Sequence, residues 1–379
     1  MNNDLSSYFE DPEFKEALEK YEGMVENHTP AYFDADELTD IAEYYASKGR
    51  QIEAEAAIDF ALQLHPNDTD ALIFRARSLA MKGRLDEAYM VMDLIEDRSD
   101  REVRFLKADL LMEEKRMEEA DHVFEELAAY EEGKLETLID IILAYIDANQ
   151  EALAKKWIKH VGETYDLASL SQKNQKFRDL LCDFYITFNN PEAAIPLLQA
   201  TLDCYPYSIN HWNSLGKCYL STNDYEEAHE AIDFALAIDD SNAEALTLKA
   251  FCYQQSGELQ KSCDYYLRLA EQQENKTRAY LALAKTYFEM QDYTSSIYYI
   301  EALLDNKDAL SKYELSELYG DIALCHAALK HIGVGQASIR RSLELNENDP
   351  DTLIVAGRFF LMEAKACNDE TAKAENQAK

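Results

Sequence analysis

Small and apolar residues recur along this chain in steps of three and four, with polar residues between them, and the whole set of steps returns after roughly 34 residues. Read from Ala35, the unit places Leu38, Ile41, Ala42 and Tyr45 first, Gly49 next, then Ala54, Ile58 and Ala61, with Pro66 before the following unit. The same order returns from Thr69 as Leu72, Ala76, Leu79, Gly83, Ala88 and Met92. From Ile209 it returns as Trp212, Leu215, Gly216, Tyr219, Ala228, Ile232 and Ala235. Further units centre on Ala108, Ile142, Cys182, Ala250, Ala284 and Ala323. Steps of three and four put these residues on one stripe of a helix, so each unit predicts two amphipathic helices meeting along matched faces.

The spacing has a packing reason. Where Ala42 faces Ala54, or Gly216 faces Ala228, a larger side chain would hold the two helix axes apart, at a typical cost of ~1 to 3 kcal/mol. In two units a serine, Ser262 or Ser296, stands where the second helix usually has alanine. Between the helices of a unit lie Gly49, Gly83 and Gly257, or Asn149, Asn189 and Asn223, residues that tolerate the left-handed backbone of a helix end. Pro66 and Pro206 fall between units, where proline ends one helix without breaking the next. No sustained two-residue alternation occurs, and 11 glycines and 7 prolines in 379 residues leave little room for long loops. The expected class is all-α. Each unit leaves an apolar face that only a neighbouring unit can cover.

The run Trp212, Leu215, Gly216, Tyr219, with small residues at matched places of the second helix, resembles the tetratricopeptide repeat. That resemblance implies a right-handed α-solenoid of about nine helix-turn-helix repeats with capping helices. The expected organisation is an acidic amino-terminal arm and capping helix over 1–34, the repeat array over 35–349, a capping helix over 350–367 and a disordered tail over 368–379. Bends are expected near 169–174 and 311–315. Pro12–Glu26 reads as the first capping helix; Leu353, Ala356, Gly357 and Phe360 read as a first-helix pattern with no second helix after it.

In the same family the first helix of each unit lines the concave surface. By that resemblance the second, fifth, ninth and twelfth positions of each unit face a ligand. Early units present Asp36, Thr39, Glu43, Arg77, Glu102, Phe105 and Asp109, an acidic and partly aromatic floor. Later units present Asn210, Asn213, Lys217, Phe251, Gln254, Arg278, Lys285 and Phe288, which combine cations, amides and aromatics and form the expected partner-binding site. Co-chaperone members clamp a Glu-Glu-Val-Asp terminus, but here Asn213 and Lys217 stand in exchanged order, and Leu248 and Ala282 replace the asparagine and arginine that clamp needs.

Charge adds a second expectation. The formal net charge is −36, and residues 1–68 hold 17 acidic against 4 basic side chains. Such a surface repels nucleic-acid phosphates and anionic membranes and attracts a basic partner. No run of 18 apolar residues and no secretory signal pattern occurs. The seven cysteines include no C-x-x-C pair, so no metal, disulfide framework or cofactor is expected, and the setting expected is cytoplasmic. Phosphate-loop, nucleophile-elbow and zinc-protease motifs are missing. The expected function is a non-catalytic scaffold or adaptor that binds a protein or peptide; the alternatives are a peptide- or small-molecule-responsive sensor and an assembly chaperone.

Overall fold

The computed structural model describes residues 9, 11–28, 30–305 and 310–377, with side chains given to 367. Among these are twenty-one α-helices, a 3-10 turn at Gln273–Asn275 and no strand. The expected polar arm ahead of Pro12 lies, apart from Phe9 and Asp11, outside the described residues.

The chain divides into two compact units, Met1–Leu167 and Ala168–Lys379. The first holds α1 (Pro12–Asn27) and four helix pairs: α2 (Ala35–Ser47) with α3 (Gln51–Leu64), α4 (Thr69–Met81) with α5 (Leu85–Met92), α6 (Arg101–Glu113) with α7 (Met117–Tyr130), and α8 (Leu135–Asp147) with α9 (Glu151–Thr164). The second begins with a short helix, α10 (Leu167–Lys173). Five pairs follow: α11 (Gln175–Thr187) with α12 (Pro191–Cys204), α13 (Ile209–Thr222) with α14 (Tyr225–Ile238), α15 (Ala243–Gln255) with α16 (Leu259–Ala270), α17 (Lys276–Glu289) with α18 (Tyr293–Leu304), and α19 (Lys312–Ala328) with α20 (Ile332–Leu345). A long helix, α21 (Pro350–Gln377), closes the unit.

The same turn joins the helices of all nine pairs. One residue takes positive φ: Gly49, Gly83, Lys115, Asn149, Asn189, Asn223, Gly257, Gln291 or Lys330. The next residue's N–H then donates five residues back, as Arg50 does to the Tyr45 carbonyl at 2.8 Å and His331 to the His326 carbonyl at 2.8 Å. This bond satisfies a carbonyl that the helix end would otherwise leave unpaired. Glycine takes the left-handed conformation without penalty and asparagine tolerates it, which is why six of these turns are legible in the sequence. Lys115, Gln291 and Lys330 carry no such signal.

The small positions close each pair as expected. Ala42, Ala54, Ala76, Ala88, Ala108 and Ala120 are fully buried, and Gly216 and Ala228 meet beside Ile232. The serine at the second-helix position has a reason in one pair: Ser296 Oγ donates to the Ala284 carbonyl at 2.9 Å, across the two helices. In the preceding pair Ser262 Oγ is buried with no partner among the described residues.

Around 169–174 the chain forms α10, and buried Arg178 clips it to the next pair. Its Nε donates to Thr201 Oγ1 at 2.7 Å and its Nη1 to the carbonyls of Ser171 and Gln172 at 3.2 Å, so a cation sits at the helix's carboxyl end. At 311–315 the chain starts α19 with a capping box, Ser311 Oγ accepting from Glu314 N and Glu314 accepting from Ser311 N. The last helix runs further than the expected end at 367: its backbone is helical to Gln377, because no glycine or proline follows Gly357 and the segment is rich in alanine, glutamate and lysine.

Candidate protein-binding faces

First helices of successive repeats lie side by side within each unit, α2 on α4, α4 on α6 and α13 on α15, so side chains at equivalent positions form rows. The row expected to bind a partner lies in the second unit. Asn210 is exposed on α13, Phe251 is 42% exposed on α15, and Arg278 and Lys285 are exposed on α17. Neither Arg278 nor Lys285 forms an ion pair among the described residues.

Other members of that row are already engaged. Asn213 is buried at 1% exposure, not on the floor of a groove; its Nδ2 donates to Asn242 Oδ1 and Glu244 Oε2, each at 3.1 Å, because the first turn of α15 covers it. Lys217 Nζ is held by Glu244. Gln254 Nε2 donates to both carboxylate oxygens of Glu289 at 2.9 Å. Phe288 is half-buried, edge-on to Tyr293 at 5.4 Å and packed towards the Phe359 cluster. Glu244 occupies the second position of its unit, one of those expected to face a ligand. Its carboxylate takes both the Asn213 amide and the Lys217 ammonium, a pairing set by the packing of α13 on α15.

The first unit carries a row of a different kind. Arg77 lies 3.6 Å from Glu102 and 3.5 Å from Asp109, and Arg101 Nη1 reaches Glu102 at 3.1 Å, so two cations serve the row of Glu43, Asp70, Glu102 and Asp109. Burial pushes Asp109 up to about 6; Arg77 opposes this, while Glu102 and Asp147 add to it. Burial raises Glu43, helped by Asp40, and raises Asp70, helped by Asp68. Asp147 is raised by burial as well. Partial desolvation against the neighbouring helices disfavours the charged form of these carboxylates, and the like charges beside them add to it.

Two crevices, about 540 and 420 Å³, lie elsewhere, on either side of the short helix α5. Most of their cations are taken, Arg116 by Glu114 and Glu119, Arg84 by Glu87, Lys82 by Glu55 and Arg75 by Asp59, while Lys107 forms no ion pair among the described residues. Among the described residues no group of three or more histidine, cysteine, aspartate or glutamate side chains is placed to hold a metal ion, and no disulfide is formed. Cys182, Cys218, Cys252, Cys263 and Cys325 are buried. No described helix is long and apolar enough to cross a membrane.

Comparison with known proteins gives one family model, the tetratricopeptide repeat, matching residues 39–89 and 213–277, one segment in each unit. Over 191 residues the chain is 26% identical to the formate-dependent nitrite reductase complex subunit NrfG of Escherichia coli O157:H7, a match covering 48% of this chain and 89% of that protein. Among solved structures, the type IV pilus biogenesis factor PilW is 15% identical, covering 58% of this chain and 97% of its own, with a TM-score of 0.47. A tetratricopeptide repeat protein from Parabacteroides merdae ATCC 43184 is 15% identical, covering 62% and 91%, with a TM-score of 0.41. The family model matches one segment in each unit, and the helix pairs share one turn and one small-residue contact, so the chain carries tetratricopeptide repeats.

Proposed function

We propose that the protein is a non-catalytic scaffold whose first-unit row of carboxylates takes an extended, lysine- or arginine-bearing segment of a protein partner. The observation that supports this reading is the row of carboxylates beside Arg77: Glu43, Asp70 and Asp109 are all pushed towards protonation by desolvation and by the acids near them, Asp109 to about 6. A bound cation would relieve the repulsion among these acids, and the binding energy would come from charge-assisted hydrogen bonds. Arg278, Lys285, Asn210 and Phe251 in the second unit offer an open surface for a second contact, with cations for a carboxylate and a ring for an apolar side chain.

The test is fluorescence polarisation with a labelled basic peptide and an acidic one of the same length. The basic peptide should bind, and Glu43→Gln with Asp109→Asn should weaken it about tenfold or more, equivalent to ~1.4 kcal/mol. Binding should strengthen as pH rises through 6, because only ionised Asp109 attracts the cation and its group titrates at about 6. Equal binding of the two peptides, or a double variant that binds like the parent, would defeat the proposal. Arg278→Glu with Lys285→Glu should leave this binding intact and reduce only a contact made through the second unit.

A further inference from the structure

The first helix of a repeat turns one face to its own second helix, and the residue at the eighth position marks the centre of that face. Ala42, Ala76, Ala108, Cys182, Ala250, Ala284 and Ala323 hold this position in their repeats, and each is at most 5% exposed. Gly216 holds it in α13, where an added Cβ would stand 2.7 Å from Ile232 Cγ1. In α21 the equivalent residue is Gly357, which is exposed and has nothing within 4 Å of the place a Cβ would take. Around it Leu353 is 50%, Ile354 59%, Phe360 49% and Leu361 73% exposed. These five residues fall within one 120° stripe of the helix, given 100° per residue, on the side away from buried Thr352, Ala356 and Phe359.

So α21 is apolar on two opposite sides, and a helix of that kind is ordinarily covered on both. A helix that only closes a stack needs a polar outer face. Nor does α21 fold back to cover itself: where every preceding first helix has turned by its seventeenth residue, α21 continues to Gln377. The bare stripe has the width and the small central residue of a face that takes another helix.

We propose that this face is a self-association site and that two copies of the chain pair through antiparallel α21 helices crossing at Gly357. A two-fold axis there sets Leu353 against Leu361 of the second copy and Ile354 against Phe360 of the second copy, so apolar meets apolar along the stripe. The four exposed side chains amount to about 400 Å² per copy, taking ~180 Å² for each when fully exposed. With their flanks they bury on the order of 1,000 Å² in total, which meets the lower bound for a specific interface.

Light scattering on the full chain as it elutes from a sizing column, at about 1 to 100 μM, reads the outcome directly. The expected mass is twice the 43.4 kDa of one chain at the upper concentrations. Phe360→Glu with Leu361→Glu should return it to one chain with unchanged helical circular dichroism. Gly357→Gln is the second variant: open space surrounds that position, so the fold accepts the side chain and melts higher, while the close crossing is blocked and the dimer is lost. A wild-type chain that stays at 43.4 kDa throughout, or a dimer that survives both variants, would overturn the proposal.

Discussion

Gly335 is where the packing of the last repeat against α21 is most exposed to a single methyl group. A Cβ added there would lie 2.5 Å from Phe359 Cε2 and 3.1 Å from the Ala323 carbonyl oxygen, both part of the packed interior. Phe359 is fully buried, so its ring cannot swing into solvent, and the carbonyl belongs to the backbone of α19. Gly335→Ala therefore forces α20 away from α19 and α21. Overpacking of this kind costs ~1 to 3 kcal/mol, against which the better helix propensity of alanine returns at most ~1 kcal/mol. A net loss of ~1 to 2 kcal/mol is expected. Two residues earlier, Gly333 has nothing within 4 Å, so Gly333→Ala serves as the matched control and should be neutral or slightly stabilising. Because a repeat array need not unfold in one step, the measurement is hydrogen exchange resolved by peptide across α19 to α21, alongside urea unfolding. Faster exchange confined to those helices in Gly335→Ala alone is the expected result. If both variants exchange like the parent, Phe359 does not seat against α20, and the orientation assigned to the bare face of α21 falls with it.

Two further predictions use the same unfolding measurement. At the turns, Gln291→Gly and Lys330→Gly should each stabilise by roughly 0.5 kcal/mol, since a left-handed residue other than glycine costs ~1 to 2 kcal/mol and glycine's extra freedom in the unfolded chain takes part of that back; Gly257→Ala should destabilise, and a Gln291→Gly variant less stable than the parent would contradict the turn. At the serines, Ser262→Ala should gain about 1 kcal/mol by removing a buried hydroxyl without a partner, whereas Ser296→Ala should lose about as much with its bond to Ala284; equal effects of the two changes would refute the distinction.

The repeat was legible because its determinants are local and repeated: Ala42 with Ala54 or Gly216 with Ala228 declares both a helix face and its partner within one unit. The turns at Lys115, Gln291 and Lys330 were not legible, because there the hydrogen bond to the carbonyl five residues back imposes the left-handed backbone without help from the residue type. The candidate site was less readable than the fold. Lys217 stands on the expected binding row by its position, yet its charge is answered by Glu244 of the next repeat, a pairing that depends on how α13 and α15 lie together. Asn213 shows the same effect, since its burial comes from the following helix and not from its own. The bare face of α21 was half visible: Leu353, Ala356, Gly357 and Phe360 read as a first helix without its second, but the sequence does not say which of them remain uncovered.

The two surfaces inferred for this chain respond to salt in opposite directions, and that follows from the same net charge of −36. A basic segment drawn to Glu43, Asp70 and Asp109 gains its rate and part of its affinity from a field that ions screen, with a Debye length of ~10 Å at 0.1 M. Its binding weakens as salt rises. Pairing through Leu353, Ile354, Phe360 and Leu361 is apolar and must bring two strongly acidic chains together, so the same screening removes an obstacle and the dimer strengthens. A partner bound through the first unit also neutralises part of the repulsion between copies, which couples the two events although the residues involved are separate. Occupied scaffolds then associate at lower salt than empty ones. The coupling is electrostatic and unspecific in origin, so it scales with the charge the partner brings and disappears at ionic strengths where the Debye length falls to ~3 Å, near 1 M.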